Sequence, residues 1–264
     1  MELKNKIIFV VGAGGLIGSE FSQSLIDNGA ICILADRDIL KLNKLKKKLN
    51  YINPNQINIK KIDISSEKQL ISLRKYINLR YKKLDGIVNL VANDPKINNG
   101  SKFKTFEDTN LSEFKKDLDV GITGMMLVIK HFIKLLKISK NASVVNMASD
   151  LSIISPDHRL YSKKNKDYNS KPISYSVVKH GVVGLTKYLA TYYGPQNIRF
   201  NSISPGGILH KQKKNFQKKI SKLIPLKRMA NIKELNFALI YLLSDKSSYT
   251  TGTNLIVDGG RSVW

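Results

Sequence analysis

Tyr175 and Lys179 stand four residues apart in YSVVK, a spacing that sets a phenol and an ammonium on one face of a helix, one turn from each other. A free phenol has a pKa of about 10 and holds its proton too tightly to act as a base at neutral pH. A cation beside it favours the phenolate, so the pair has the makings of a tunable acid/base. The same two side chains also read as a tyrosine and a lysine snorkelling from a buried helix, and in isolation the pair does not choose between these readings.

A second chemical signal is VVGAGGLIGSE. Gly12, Gly15 and Gly18, with Leu16 and Ile17 between them, follow an apolar run directly and open a helical pattern. Such a chain can turn tightly, approach a pyrophosphate closely and present a helix N-terminus to it; a glycine-rich turn without a ligand is the plain alternative. Asp36 ends the next apolar run in ILAD, 18 residues past Gly18, where a carboxylate accepts hydrogen bonds from an adenosine ribose. It would repel a 2′-phosphate, so NAD is expected in preference to NADP. The adjacent Arg37 acts in the other direction, because a guanidinium there can stack on adenine or hold a phosphate.

These residues need a scaffold, and the chain supplies one in alternating elements. Short Val- and Ile-rich runs at 7–11, 30–35, 57–62, 86–92, 142–148, 198–203 and 254–257 read as strands, several without alternation, as in strands covered on both faces. Helical patterns fall between them at 18–28, 39–50, 67–80, 112–138, 175–193 and 232–243. The alternation predicts an α/β fold, a Rossmann-like doubly wound and mainly parallel seven-stranded sheet in one domain spanning 1–264. Three longer loops, 93–109, 150–172 and 206–222, each follow a strand and are expected to surround one site at the strands' carboxyl ends.

In this order the motifs resemble the short-chain dehydrogenase/reductase family along nearly the whole chain: the glycine turn, Asp63 and Ile64 after the third strand, VNLVA after the fourth, NMAS after the fifth, YSVVK, SPGGI and VDGG. The resemblance implies an NAD(P)-dependent oxidoreductase moving a hydride between nicotinamide and an alcohol or carbonyl carbon. It implies that Tyr175 is the general acid/base, that Lys179 also holds the nicotinamide ribose, and that Ser149 holds the substrate oxygen. Asp63 and Ile64 look like the pair that contacts adenine, although an Asp after a strand also serves as a helix cap. Asn89 and Ala92 resemble the motif lining the adenosine side, where Asn89 could equally be a structural hydrogen-bonder. Pro205, Gly206 and Ile208 resemble the turn that meets the nicotinamide, with an ordinary proline-glycine turn as the alternative.

Three features depart from the family pattern. The glycines are spaced G-x-x-G-x-x-G, which resembles the family's extended branch, whereas VDGG and the length resemble the compact one. LDVGITG puts Gly121 where the family carries an asparagine that positions a relay water. Ser149 and Tyr175 are 26 residues apart, and the longer intervening segment carries His158, Arg159, Tyr161, Lys163, Lys164 and Lys166. It reads either as a surface insertion or as a cover that offers Arg159 to an anionic substrate, since a guanidinium suits phosphate or carboxylate. The segment SDLSIISPDHRLY and the ending DGGRSVW resemble a subgroup associated with flagellin modification and surface-sugar biosynthesis, which implies an activated or phosphorylated sugar. A reductase of a 3-oxoacyl substrate on an acidic carrier, greeted by HKQKKNFQKKISK, is the rival enzyme; a catalytically lapsed nucleotide-binding protein is the rival of another class.

The bulk properties set the outer limits. A formal charge of +24 is spread over many lysine runs and reads as solvated faces, so nucleic acid is not the expected partner, while anionic ligands are steered in favourably. The lone Cys32 in an apolar run excludes a disulfide framework and a zinc site, fitting a reducing cytoplasm. His131, His180 and His210 lack ligand spacing, so no metal is assigned. No run reaches the ~20 apolar residues of a membrane span, and a soluble homo-oligomer, dimer or tetramer, is expected from the family resemblance.

Overall fold

Each strand of this chain is short, apolar and flanked by helix-forming segments, so burying both of its faces requires a layer of helices above and below. The computed structural model, which describes residues 1–49, 54–92, 105–161 and 170–264, shows that arrangement. The strands are β1 (Ile7–Val11), β2 (Ile31–Asp36), β3 (Ile57–Lys61), β4 (Gly86–Asn89), β5 (Ala142–Met147), β6 (Ile198–Pro205) and β7 (Asn254–Val257). They form one sheet in the order β3-β2-β1-β4-β5-β6-β7, every adjacent pair parallel. The strand order reverses between β1 and β4, the place where such sheets open a crevice at their carboxyl ends.

Alternate residues of the strands feed two cores. Phe9, Ile33, Ile87, Val144 and Phe200 face the layer made by α3 (Glu67–Tyr81), α5 (Gly124–Leu136) and α6 (Ile173–Tyr193), where Phe132 packs on Phe9 with ring centroids 4.8 Å apart. Ile8, Val10, Leu34, Val88, Val145 and Ile203 face α1 (Leu16–Asp27), α2 (Ile39–Lys48) and α8 (Asn236–Leu243). The helices start where capping chemistry allows: Asp38 accepts from the backbone of Leu40 and Lys41, Asn110 from Ser112 and Glu113 at the head of α4 (Leu111–Leu118). Two of the buried charges meet several partners each. Asp85 accepts from the Ile7 amide, Ser139 and Lys83. Arg199 donates to the carbonyls of Leu242 and Ser244 and to Ser247, closing the end of α8.

The structure redraws three of the expected elements. β4 ends at Asn89, leaving Leu90 to Ala92 outside the strand. The single helix expected over 112–138 is α4 and α5 joined by a π turn, Asp119–Thr123. A Cβ on Gly121, inside that turn, would overlap Cγ1 of Val178, and one on Gly181 would come 2.8 Å from Cδ1 of Ile122. The glycines thus let Val178 of α6 pack directly on the π turn and Ile122 of the turn pack directly on α6. The 206–222 loop is not all loop: Lys214–Lys222 forms α7. It packs with the short turn His158–Leu160 into a satellite core of Leu160, Ile220, Ile224 and Met229.

Candidate active site

The carboxyl ends of β1 to β6 carry most of the functional candidates. Beyond β1, Gly12 turns with φ +85°, and the amides of Gly12 and Ala13 both donate to the Ala35 carbonyl, so the turn leans on β2. A Cβ on Gly18 would overlap the carbonyl oxygen of Gly12, so only glycine lets α1 start this close beneath the turn. Gly15 is the N-cap of α1, with Leu16 exposed at its first position and Ile17 packed partly into the core. The cradle that a side chain would fill, at a helix N-terminus beside a carboxylate, fits a dinucleotide. Asp36 accepts from the Gly14 amide at 3.0 Å on one oxygen and from the Asp38 amide at 3.0 Å on the other, so its carboxylate is fixed at the rim of the cradle. Arg37 beside it is exposed, and its positive charge reaches Asp63.

Asp63 closes a turn by accepting from the hydroxyl and amide of Ser65, and these bonds, with Arg37, hold its carboxyl below the ordinary value. Ser66, not Asp63, caps α3. Ile64 is buried, and a Cβ on Gly124 would come 2.7 Å from its Cδ1. Asn89 donates to Asn146 at 2.8 Å, and Asn146 to Thr186 at 3.0 Å, a buried line from β4 through β5 into α6. The Oδ1 of Asn89 is buried with no hydrogen-bond partner among the described residues, an acceptor left over at the crevice. Ala92 ends the described part of the strand-four loop. Pro205 closes β6, the Gly206 amide donates to Val257, and Ile208 bridges to Ala230.

Ser149, Tyr175 and Lys179 converge where α6 packs against the turn Asp150–Ser152 that follows β5. Lys179 is 4% exposed and donates to the Met147 carbonyl at 2.8 Å, with its ammonium 5.6 Å from the centre of the Tyr175 ring. A buried ammonium needs such partners, and this one is anchored at the strand end that carries Ser149. The Ser149 hydroxyl, itself buried, donates to Asp150 at 2.8 Å and accepts from the Leu151 amide. Ser174 donates to Asp117, fixing the start of α6 against α4.

Two cations rearrange the expected picture. Arg159 turns outward: its guanidinium is 88% exposed and forms a two-point pair with Asp157, with Nε and Nη2 at 2.9 and 2.8 Å, so its fork is occupied within its own turn. Lys171, which the spacing of motifs does not bring out, places its ammonium 4.0 Å from the centre of the Tyr175 ring. Its signal was available in KPISY, four residues before the tyrosine. Lys163, Lys164 and Lys166 lie outside the described residues, as does the 93–104 part of the first loop. Among the described residues there is no His, Cys, Asp or Glu group suited to a metal, and no helix long and apolar enough to cross a membrane.

Residues 12–262 match the family profile described as "Enoyl-(Acyl carrier protein) reductase". The chain is 31% identical over 258 residues to post-translational flagellin modification protein A of Campylobacter coli, with 98% of each covered. It is 27% identical to an NAD-dependent glycerol dehydrogenase of Listeria innocua, covering 99% of this chain and 96% of that one. A short chain dehydrogenase of Leptospira borgpetersenii, solved with bound NAD+, matches the fold with a TM-score of 0.83 at 29% identity, over 99% of this chain and 94% of that one.

Proposed function

Because the chain belongs to the short-chain dehydrogenase/reductase family of NAD(P)-dependent oxidoreductases, we propose that it interconverts an alcohol and a carbonyl on an anionic, sugar-like substrate with NAD as the preferred cofactor. The observation that carries this reading is the buried Lys179 ammonium, tied to the strand end beneath Ser149 and directed at Tyr175.

The nicotinamide cofactor, when bound, supplies or accepts the hydride. The glycine turn from Gly12 to Gly18 and the head of α1 hold its pyrophosphate, and Asp36 takes the adenosine ribose. Arg37, Asp63 and Ile64 border the adenine, Asn89 and Ala92 the adenosine side, and Pro205, Gly206 and Ile208 the nicotinamide. Tyr175 gives or takes the proton at the reacting oxygen, Lys179 lowers the cost of its phenolate and holds the nicotinamide ribose, and Ser149 steadies the substrate oxygen. The cation beside Tyr175 that suits an anionic substrate is Lys171 rather than Arg159, whose guanidinium is engaged by Asp157. The similarity to a flagellin modification protein favours a sugar or activated sugar. The lysine-rich α7 and the profile's description favour, as a second reading, a 3-oxoacyl group delivered on an acidic carrier. The lone buried cysteine suits a cytoplasmic setting, and the exposed Tyr188 and Tyr192 of α6 suit a homo-oligomer.

Fluorescence titration with NADH and NADPH, on wild type and Asp36→Ala, tests the assignment. Tighter binding of NADH, with the preference lost in the variant, is the expected result. Binding of neither nucleotide would refute the oxidoreductase reading.

A further inference from the structure

Behind Ser149 lies a buried pair of charges that the proposed chemistry does not use. Asp150 and Arg261 are 4% and 7% exposed, and Nη1 of Arg261 donates to Oδ2 of Asp150 across 111 residues of sequence. The other oxygen of the same carboxylate, Oδ1, accepts the hydroxyl proton of Ser149 and, at 2.9 Å, the Leu151 amide, which Ser149 shares. Arg261 is held in turn by a built turn: the Asp258 carboxylate accepts from the amides of Gly260 and Ser262, with Gly259 and Gly260 at φ +67° and +87°. The Ser149 carbonyl is fixed as well, accepting from Ser152, whose hydroxyl meets Ser204 on β6. The serine therefore has a fixed backbone, one amide donated to it, and one proton that points at a carboxylate.

That proton is the one a reacting oxygen requires as negative charge develops on it. A buried carboxylate without a counter-ion would hold a hydroxyl proton in a strong charge-assisted bond and withhold it from the substrate. Arg261 draws on the far oxygen of Asp150 and shares its charge. We propose that Arg261 is a positioning residue: by pairing with Asp150 it loosens the carboxylate's hold on Ser149, so that the hydroxyl turns from Asp150 to the substrate oxygen during the reaction. This rests on the oxidoreductase reading above. No bond other than hydrogen bonds changes in the step, and the proton stays on Ser149.

The test is steady-state reduction of 2,3-butanedione by NADH, with NADH Kd from fluorescence and Tm measured alongside. Arg261→Gln is expected to lower kcat about tenfold, with KM and NADH Kd within about twofold of wild type. Adding Asp150→Asn, a neutral acceptor that cannot grip the proton as tightly, is expected to restore kcat to within about threefold of wild type. Arg261→Lys, which keeps a cation on the pair, is expected to stay within about twofold, and this variant carries the test if the glutamine one does not fold. Unchanged kcat in Arg261→Gln, a double variant as slow as the single one, a loss confined to KM or NADH Kd, or a lysine variant as slow as the glutamine one would each overturn the proposal. A wild type that binds neither NADH nor NADPH would overturn the oxidoreductase reading instead, and this one with it.

Discussion

Tyr175 and Lys179 differ in what each loses by substitution, and that difference separates proton chemistry from scaffolding. Tyr175→Phe removes one hydroxyl from a half-buried ring and should leave NADH Kd within about twofold while lowering kcat by at least about 10²-fold, read by fluorescence titration and turnover. Lys179→Met should weaken NADH binding as well and lower Tm, because the Met147 carbonyl loses its buried donor. Equal effects of the two variants on NADH Kd would contradict the division of roles. At this scale the glycines, Asp36, Ser149, Tyr175 and Lys179 could be proposed from sequence because residue type and short spacing suggest the chemistry. Asp150 and Arg261 were not, since nothing local links residues 111 positions apart. The pairing of Arg159 was hidden for a related reason: its type suits an anion, and Asp157, two residues earlier, is the anion it meets in the structure.

The elements of the sheet were legible because strands buried on both faces leave uninterrupted apolar runs, and all seven lie within a few residues of where those runs fall. The π turn was not, because its cause is a neighbour. Gly121 stands where the family resemblance implies an asparagine, and no side chain fits there in this structure, because Val178 of α6 occupies the space. Gly121→Ala should therefore cost about 1–3 kcal/mol of stability by overpacking, and Val178→Ala in the same chain should return part of it. Differential scanning calorimetry of the three proteins checks this; a neutral Gly121→Ala would mean that the turn relaxes freely. α7 was read as loop because lysines dominate it, although Phe216, Ile220 and Leu223 recur at helical spacing and do bury against Leu160 and Met229.

At the scale of the whole molecule, one domain of parallel strands places every proposed ligand group at one end of the sheet, and the net charge of +24, spread over the chain, steers anions toward the molecule as a whole. Composition gave the charge, the solvated surface and the single thiol; it could not give the packing that decides what the thiol does. Cys32, the second residue of β2, has no exposure, and burial pushes its thiol far above the ordinary value. Ellman's reagent should accordingly report no reactive thiol on the native protein within minutes and one after denaturation in guanidinium; rapid native reaction would show that β2 opens. The native chain should thus behave toward alkylating dyes as though it had no cysteine at all. A single Lys218→Cys on α7 would then carry a fluorophore without prior removal of the native residue, making movement of that helix on ligand binding visible by an optical readout in an otherwise unaltered protein.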